Sequence, residues 1–441
     1  MNLSTALVNR TLYFCSLEAF SISSIRYIRA KPFSYLHRPC DTEVFRKGST
    51  YNNLQEGPII MKKIFTVFAI NLLLLSTMLT SNAIAFDKLS IDDPDRFNHK
   101  FAEVNGIRMH FVDEGVGPLV ILLHGFPLSW YSWRAQIPAL VDAGYRVVVP
   151  DQRGYGQTEQ PKNVDAYDIT QLVGDVVGLI DEVEEETAVL VGWDWGSPVA
   201  WTTALLRPDL IRGLVMVSSP YQPRSPVTPS KAWPLAFKEG IFYQQYFQEV
   251  GVVESELKTD PRKYMLGLLY SISGSAPPDE QWRFVMKDGE KMIDVITIPE
   301  RLPNWLSPKA FDFYAEEYTR YGFVGALNWY RAMDRTWEIT SFLSGAKIQQ
   351  PALFVAGDQD PGIIYGKRAF DDLENQVPNL RKKVLLKGVG HLAPEEQPEK
   401  FNELVIEFLK GLDRPEQKSE KESVQVSSQK VRVNRSTHGL D

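Results

Sequence analysis

The chain has 441 residues, 44% of them hydrophobic and 23% charged, which is enough apolar material for a large core and ordinary for a globular enzyme. Lys and Arg number 48 against 55 Asp and Glu, a net charge of −7, and the acidic excess grows once the first 85 residues are set aside. That balance argues against nucleic acid and anionic lipid as partners, and the sequence carries no P-loop, dinucleotide glycine motif, zinc-ligand cluster, internal repeat or basic stripe.

In chain order, the first strong signal is Met61-Lys62-Lys63, a basic start followed by the apolar run Ile64 to Leu79 and the small-residue site Ala83-Ile84-Ala85. This reads as a bacterial-type secretory signal peptide over 61–85, with Phe86 as the first mature residue and a periplasmic or secreted location. A membrane anchor is the rival reading. The run is short and broken by Asn71 and Ser76, and the cleavage site favours removal, so no stable anchor is expected. Residues 1–60 are left without a role, as though translation started at Met61. Both cysteines, Cys15 and Cys40, fall there, and a mature chain without thiols suits an oxidising compartment.

Further on, Phe101–Val104 and Arg108–Glu114 predict a hairpin turning at Asn105-Gly106, and apolar runs near 119, 146, 187, 211, 351 and 382 predict the strands of a mostly parallel sheet. The run Leu119–Leu123 closes on His124-Gly125-Phe126-Pro127. Tyr145–Val149 leads into Pro150–Thr158, a loop whose Asp151 and Arg153 fasten neighbouring turns rather than react. Thr187–Val191 runs into Gly192-Trp193-Asp194-Trp195-Gly196, and a helix opened by Pro198 follows over Ser197–Arg207. A strand-turn-helix junction with small residues on either side forces the central residue into a strained turn and exposes its side chain. Asp194 is thereby presented as a nucleophile. A carboxylate is poor at opening amides but can attack an alkyl carbon, giving an ester that water must then cleave. The backbone N–H groups of Phe126 and Trp195 would hold one oxygen of Asp194 and the oxyanion formed when that ester is hydrolysed.

Such a nucleophile needs a base for the water and an acid to orient the base. Of six histidines, His37 lies in the leader, His99 before the first strand, His110 in a strand, His124 in the Phe126 turn and His438 in a polar tail that begins near Arg414 and reads as disordered. His391 remains, in Gly388-Val389-Gly390-His391 after the strand-like Lys382–Lys387. The acid should follow a strand between Asp194 and His391. Pro351–Ala356 is that strand, and Asp360 at the end of Gly357-Asp358-Gln359-Asp360 is better placed than Asp358, which suits backbone N–H groups of its own turn. The competing place, after the strand ending near Val217, holds Ser218, Ser219 and Pro220.

Over about Phe101 to Leu412 these motifs resemble the epoxide hydrolases of the α/β-hydrolase class, close to the soluble epoxide hydrolases. The resemblance implies an α/β-hydrolase fold, a mostly parallel eight-stranded sheet with helices on both faces and an inserted helical cap. Core halves would span 86–220 and 345–413, the cap 221–344, the closing helix Phe401–Leu412 and the tail 414–441. Phe242–Glu249 and Gly325–Arg331 resemble the family's two cap motifs, which implies that Tyr243 and Tyr330 hydrogen-bond the epoxide oxygen, with Phe126, Trp195, Trp329 and Phe247 around the substrate. The chain departs from the pattern at Trp193, where relatives usually carry His. The implied activity is conversion of a small lipophilic epoxide to a vicinal diol through an Asp194 ester, with no cofactor and no metal. Haloalkane dehalogenation is the alternative, using the same aspartate with Trp195 as a halide donor. Phe126 stands where one dehalogenase group uses Asn, and paired tyrosines suit an alkoxide better than a halide. A non-catalytic binding protein on this scaffold is the third reading, and the complete triad speaks against it.

Overall fold

The computed structural model describes residues 90–413; the leader, the signal-peptide segment, Cys15, Cys40 and the tail from 414 lie outside them. Eight strands form one sheet: β1 (His99–Val104), β2 (Ile107–Glu114), β3 (Leu119–Leu123), β4 (Arg146–Pro150), β5 (Ala188–Trp193), β6 (Ile211–Val217), β7 (Ala352–Gly357) and β8 (Leu380–Leu386). Their order is β1-β2-β4-β3-β5-β6-β7-β8, antiparallel where β2 meets β1 and β4 and parallel elsewhere.

Every side chain of β3, β5 and β7 is buried, as expected when helices cover both faces of a parallel sheet and the strands become continuous apolar runs. Helices Ile169–Glu182 and Gly196–Leu206 pack together on one face, and Gln136–Asp142 with Pro398–Asp413 on the other. The closing helix starts three residues earlier than the sequence pattern suggests, because Pro398 at its first position supplies a helical φ without needing an N–H partner. No helix among the described residues is long and apolar enough to cross a membrane.

Between β6 and β7 the chain leaves the sheet for a helical cap, running from Pro229–Ala236 to Met333–Ile339 and including a short ladder of Ile241–Phe242 with Val285–Met286. The cap sits above the carboxyl ends of the strands. That is where parallel α/β sheets leave a crevice for ligands, since the helices start there and the loops diverge. Trp329 of the cap donates its indole N–H to the Arg153 carbonyl at 2.9 Å, tying cap to core. The loop that receives it is tied down by its own side chains. Asp151, fully buried, accepts from the N–H groups of Trp130 (3.1 Å) and Gln157 (3.1 Å), and Arg153 pairs with Asp175 at 2.5 Å.

Candidate active site

Asp194 sits at the turn after β5 with φ of +53°, a left-handed conformation that a non-glycine residue adopts only when its surroundings hold it there. Those surroundings are visible. A Cβ on Gly192 would lie 2.2 Å from the Gly196 carbonyl oxygen, and one on Gly196 would lie 2.0 Å from that of Leu123. Only glycine lets the helix Gly196–Leu206 start this close to β3 and β5, and the tight start drives the Asp194 side chain out of the sheet. Its backbone is fixed by an N–H bond to the Val217 carbonyl at 3.1 Å.

One carboxylate oxygen, Oδ1, accepts the Phe126 N–H at 2.8 Å. Among the described residues no hydrogen bond joins the Trp195 N–H to Asp194, so one of the two expected backbone donors is engaged in this state. The other oxygen, Oδ2, faces His391 Nε2 at 3.5 Å. On its far side His391 Nδ1 meets Asp360 Oδ1 at 2.9 Å, and Asp360 is fully buried. Asp360 also caps its own short helix, accepting the Gly362 N–H at 2.7 Å, which fixes the carboxylate in place. Asp358 turns away and accepts the Gly388 N–H at 2.8 Å, a bond to the loop before His391 rather than to its own turn.

Burial alone would lower the His391 pKa, but the charge of Asp360 and the hydrogen bonds to both carboxylates outweigh it and push it up to about 10. The imidazole is therefore a cation between two carboxylates while Asp194 is free. Its carbonyl is held by two donors, the Trp193 indole N–H and the Ser218 hydroxyl, each at 2.9 Å. Trp193, the departure from the family pattern, is thus fully buried behind the site, packed edge-on against Trp133 at 5.5 Å.

Opposite Asp194 stand the cap tyrosines, with ring centroids 5.9 Å apart. Tyr243 opens a short helix directly after the Ile241–Phe242 strand, and Tyr330 lies in the helix Val324–Arg331. Gln244 donates to the Tyr243 hydroxyl at 2.9 Å. Burial first, and for Tyr243 then the charge of Asp194, holds both phenols above the ordinary tyrosine value, so both carry their protons. The Trp195 indole stands edge-on to the Tyr330 ring at 5.2 Å.

These groups open on one cavity of about 510 Å³, lined by Phe126, Asp194, Trp195, Tyr243, Trp329, Tyr330 and His391 and continuing past Trp201, Trp233 and Trp282. Phe247 is not part of that lining. It is fully buried behind the tyrosines, edge-on to Tyr330 at 5.1 Å and to Tyr243 at 5.4 Å, because its place one turn after Tyr243 points it into the cap interior. Trp282, Phe284 and Gln244 also line the cavity; the two aromatics sit in the loop before Val285–Met286, where no periodicity in the sequence shows which side a ring faces. The remaining described histidines are engaged elsewhere, His99 on His110 at 2.8 Å and His110 on Asp151 at 2.8 Å. Burial lowers the pKa of His124 to about 4, so it is neutral, and its Nε2 accepts the Gln152 N–H at 3.0 Å.

Residues 118–290 match the family model for the alpha/beta hydrolase fold. Epoxide hydrolase A of Mycobacterium tuberculosis is 42% identical over 319 residues, covering 71% of this chain and 98% of its own. Epoxide hydrolase 3 of Siraitia grosvenorii is 38% identical over 320 residues, covering 71% and 99%. Among solved structures, an epoxide hydrolase from an endophytic Streptomyces superposes with a TM-score of 0.70 at 39% identity, over 72% of this chain and 96% of that one. Epoxide Hydrolase A from Mycobacterium thermoresistibile gives 0.68 at 42% identity, over 71% and 98%.

Proposed function

Because the chain belongs to the epoxide hydrolase family of the α/β-hydrolase fold, we propose that it converts a small lipophilic epoxide and water to a vicinal diol through an ester on Asp194. The observation that carries the reading is the approach of Asp194, His391 and two protonated phenols to a single, aromatic-rich cavity.

Oδ2, the oxygen without a backbone donor, attacks a ring carbon; the C–O bond of the ring breaks, and the departing alkoxide takes a proton from Tyr243 or Tyr330. Esterification removes the negative charge of Asp194, and with it part of what keeps His391 cationic. The imidazole then gives its proton up to solvent more readily, regaining one from solvent once Asp194 is freed, and in between it can take one from water at Nε2. The hydroxide adds to Cγ, and the oxyanion develops on Oδ1, where the Phe126 N–H already points. The Trp195 N–H, unused by the resting carboxylate, joins it there. Collapse breaks the Cγ–Oδ2 bond. Oδ2 leaves with the diol, protonated by His391, the solvent oxygen stays on Asp194, and the second water proton restores the phenol.

Incubating the chain from Phe86 onward with styrene oxide, a terminal aliphatic epoxide and chlorobutane tests the reading. Diol from an epoxide without halide from chlorobutane is the expected result, and halide release without diol overturns it. The export reading is part of the same proposal: the signal at 61–85 would deliver a thiol-free enzyme to the periplasm or medium.

A further inference from the structure

We infer that Glu396 is a positioning residue that clasps the His391 loop to the cap, so that the base is aligned only while the cap is seated. The inference rests on the catalytic reading above and adds to it a residue outside the triad.

His391 is held at both ends of its own peptide by different parts of the molecule. Its carbonyl is bound by the core through Trp193 and Ser218. Its N–H donates instead to the Ile272 carbonyl at 2.7 Å, and Ile272 closes the cap helix Pro261–Ser271. The Glu396 carboxylate lies beside this junction. It accepts the N–H of Gly274, in the cap, at 2.8 Å, and those of Gly390 at 3.1 Å and Leu392 at 3.2 Å, the two residues that flank His391. Three backbone donors from two segments thus converge on one side chain; burial raises its pKa to about 7, and the three N–H bonds act against burial by favouring the charged form.

The two backbones are also in direct contact. A Cβ on Gly274 would fall 2.4 Å from the Gly388 carbonyl oxygen, and one on Gly390 would fall 2.4 Å from the Gly274 nitrogen. No side chain fits between them, so Glu396 joins the His391–Ile272 bond in spanning a seam with no room to slip. The adjoining Glu395 faces the other way, to Arg134 at 2.6 Å and the hydroxyl of Tyr314 in the cap. Neither carboxylate touches the substrate cavity. Glu396 acts on the reaction only through where it leaves the imidazole.

That indirect role has its own signature. Attack by Asp194 does not need His391, whereas cleavage of the ester does, so a displaced loop slows the second half-reaction alone. Rapid-quench mass spectrometry with styrene oxide resolves the two halves. Glu396→Ala should keep the alkylation rate and slow ester hydrolysis on the order of 100-fold, so that the adduct accumulates. Glu396→Gln, which keeps one acceptor oxygen, should fall between it and the wild type. Gly274→Ala should give the same pattern by prying the seam apart without touching a charge, and it carries the test if Glu396→Ala does not fold. Equal loss in both halves, or no change in their ratio in Glu396→Ala and Gly274→Ala, overturns the inference. His391→Gln is the control: if it too shows no adduct, the catalytic reading has failed rather than the clasp.

Discussion

His391 Nε2 stands 3.5 Å from Asp194 Oδ2, at the outer limit of a hydrogen bond, while its Nδ1 is held at 2.9 Å by Asp360. The asymmetry separates the two roles of the pair. The short contact orients the imidazole permanently, and the long one leaves the nucleophile free to move onto a substrate carbon.

Replacing His391 with Gln should remove water activation while leaving Asp194 able to attack. Turnover should fall on the order of 100- to 10,000-fold, and intact-mass spectrometry should find protein heavier by one substrate. Asp194→Ala should give neither adduct nor diol. Unmodified His391→Gln protein after long incubation with an accepted epoxide would contradict the assignment.

The same pair sets a pH dependence. His391 is raised from 6.5 to about 10, so its contribution to stability is complete below 6.5 and is lost as pH rises through about 10. Esterification removes the Asp194 contacts and lowers that value. Alkylation should therefore proceed across neutral pH, whereas hydrolysis should speed up as pH rises toward a plateau below 10. The adduct fraction at steady state, measured by rapid quench, should decline from acid to alkaline pH; a rise would show that a base is not limiting.

For the phenols, Tyr243→Phe and Tyr330→Phe should each slow ring opening on the order of 10- to 1000-fold, and the double change should nearly abolish it. Either hydroxyl alone still reaches the developing alkoxide across a ring separation of 5.9 Å. A fully active double variant would place the donor elsewhere.

Trp193→Phe should keep the contact with Trp133 but leave the His391 carbonyl with Ser218 as its remaining donor. A cost of roughly 1–3 kcal/mol is expected in urea denaturation, that of one buried acceptor losing a partner. Unchanged stability would mean that the indole N–H is not needed there.

Export is tested apart from catalysis. N-terminal sequencing of protein recovered from the periplasm or medium should find Phe86 first, since the small residues Ala83 and Ala85 suit signal peptidase. A product that retains Lys62 and Lys63, or begins at Met1 with both cysteines, contradicts it.

How much the sequence revealed depended on how local the constraint was. Asp194 was legible because a strained turn with glycines on both sides is written in five consecutive residues. His391 and Asp360 followed from their places after strands, and the Asn105-Gly106 hairpin from its turn residues, although β1 begins two residues earlier, at His99. Phe247 was not legible as a wall residue or a buried one, since aromatic content does not say which way a ring points. The partner of Trp193 lies 198 positions away, beyond the reach of any local pattern. Glu396 sits in Pro394-Glu395-Glu396-Gln397-Pro398, a run that reads as solvated surface; only the packed cap brings Gly274 to it.

The central claim, a covalent ester on Asp194, is tested most directly by a single turnover in water enriched in oxygen-18, with enzyme in excess over the epoxide. The account predicts a diol free of the label, because its new oxygen is Oδ2, and an Asp194-bearing peptide that has gained one heavy oxygen. Label in the diol of that first turnover, with the peptide unchanged, would mean that water opens the ring directly and that Asp194 is a base rather than a nucleophile.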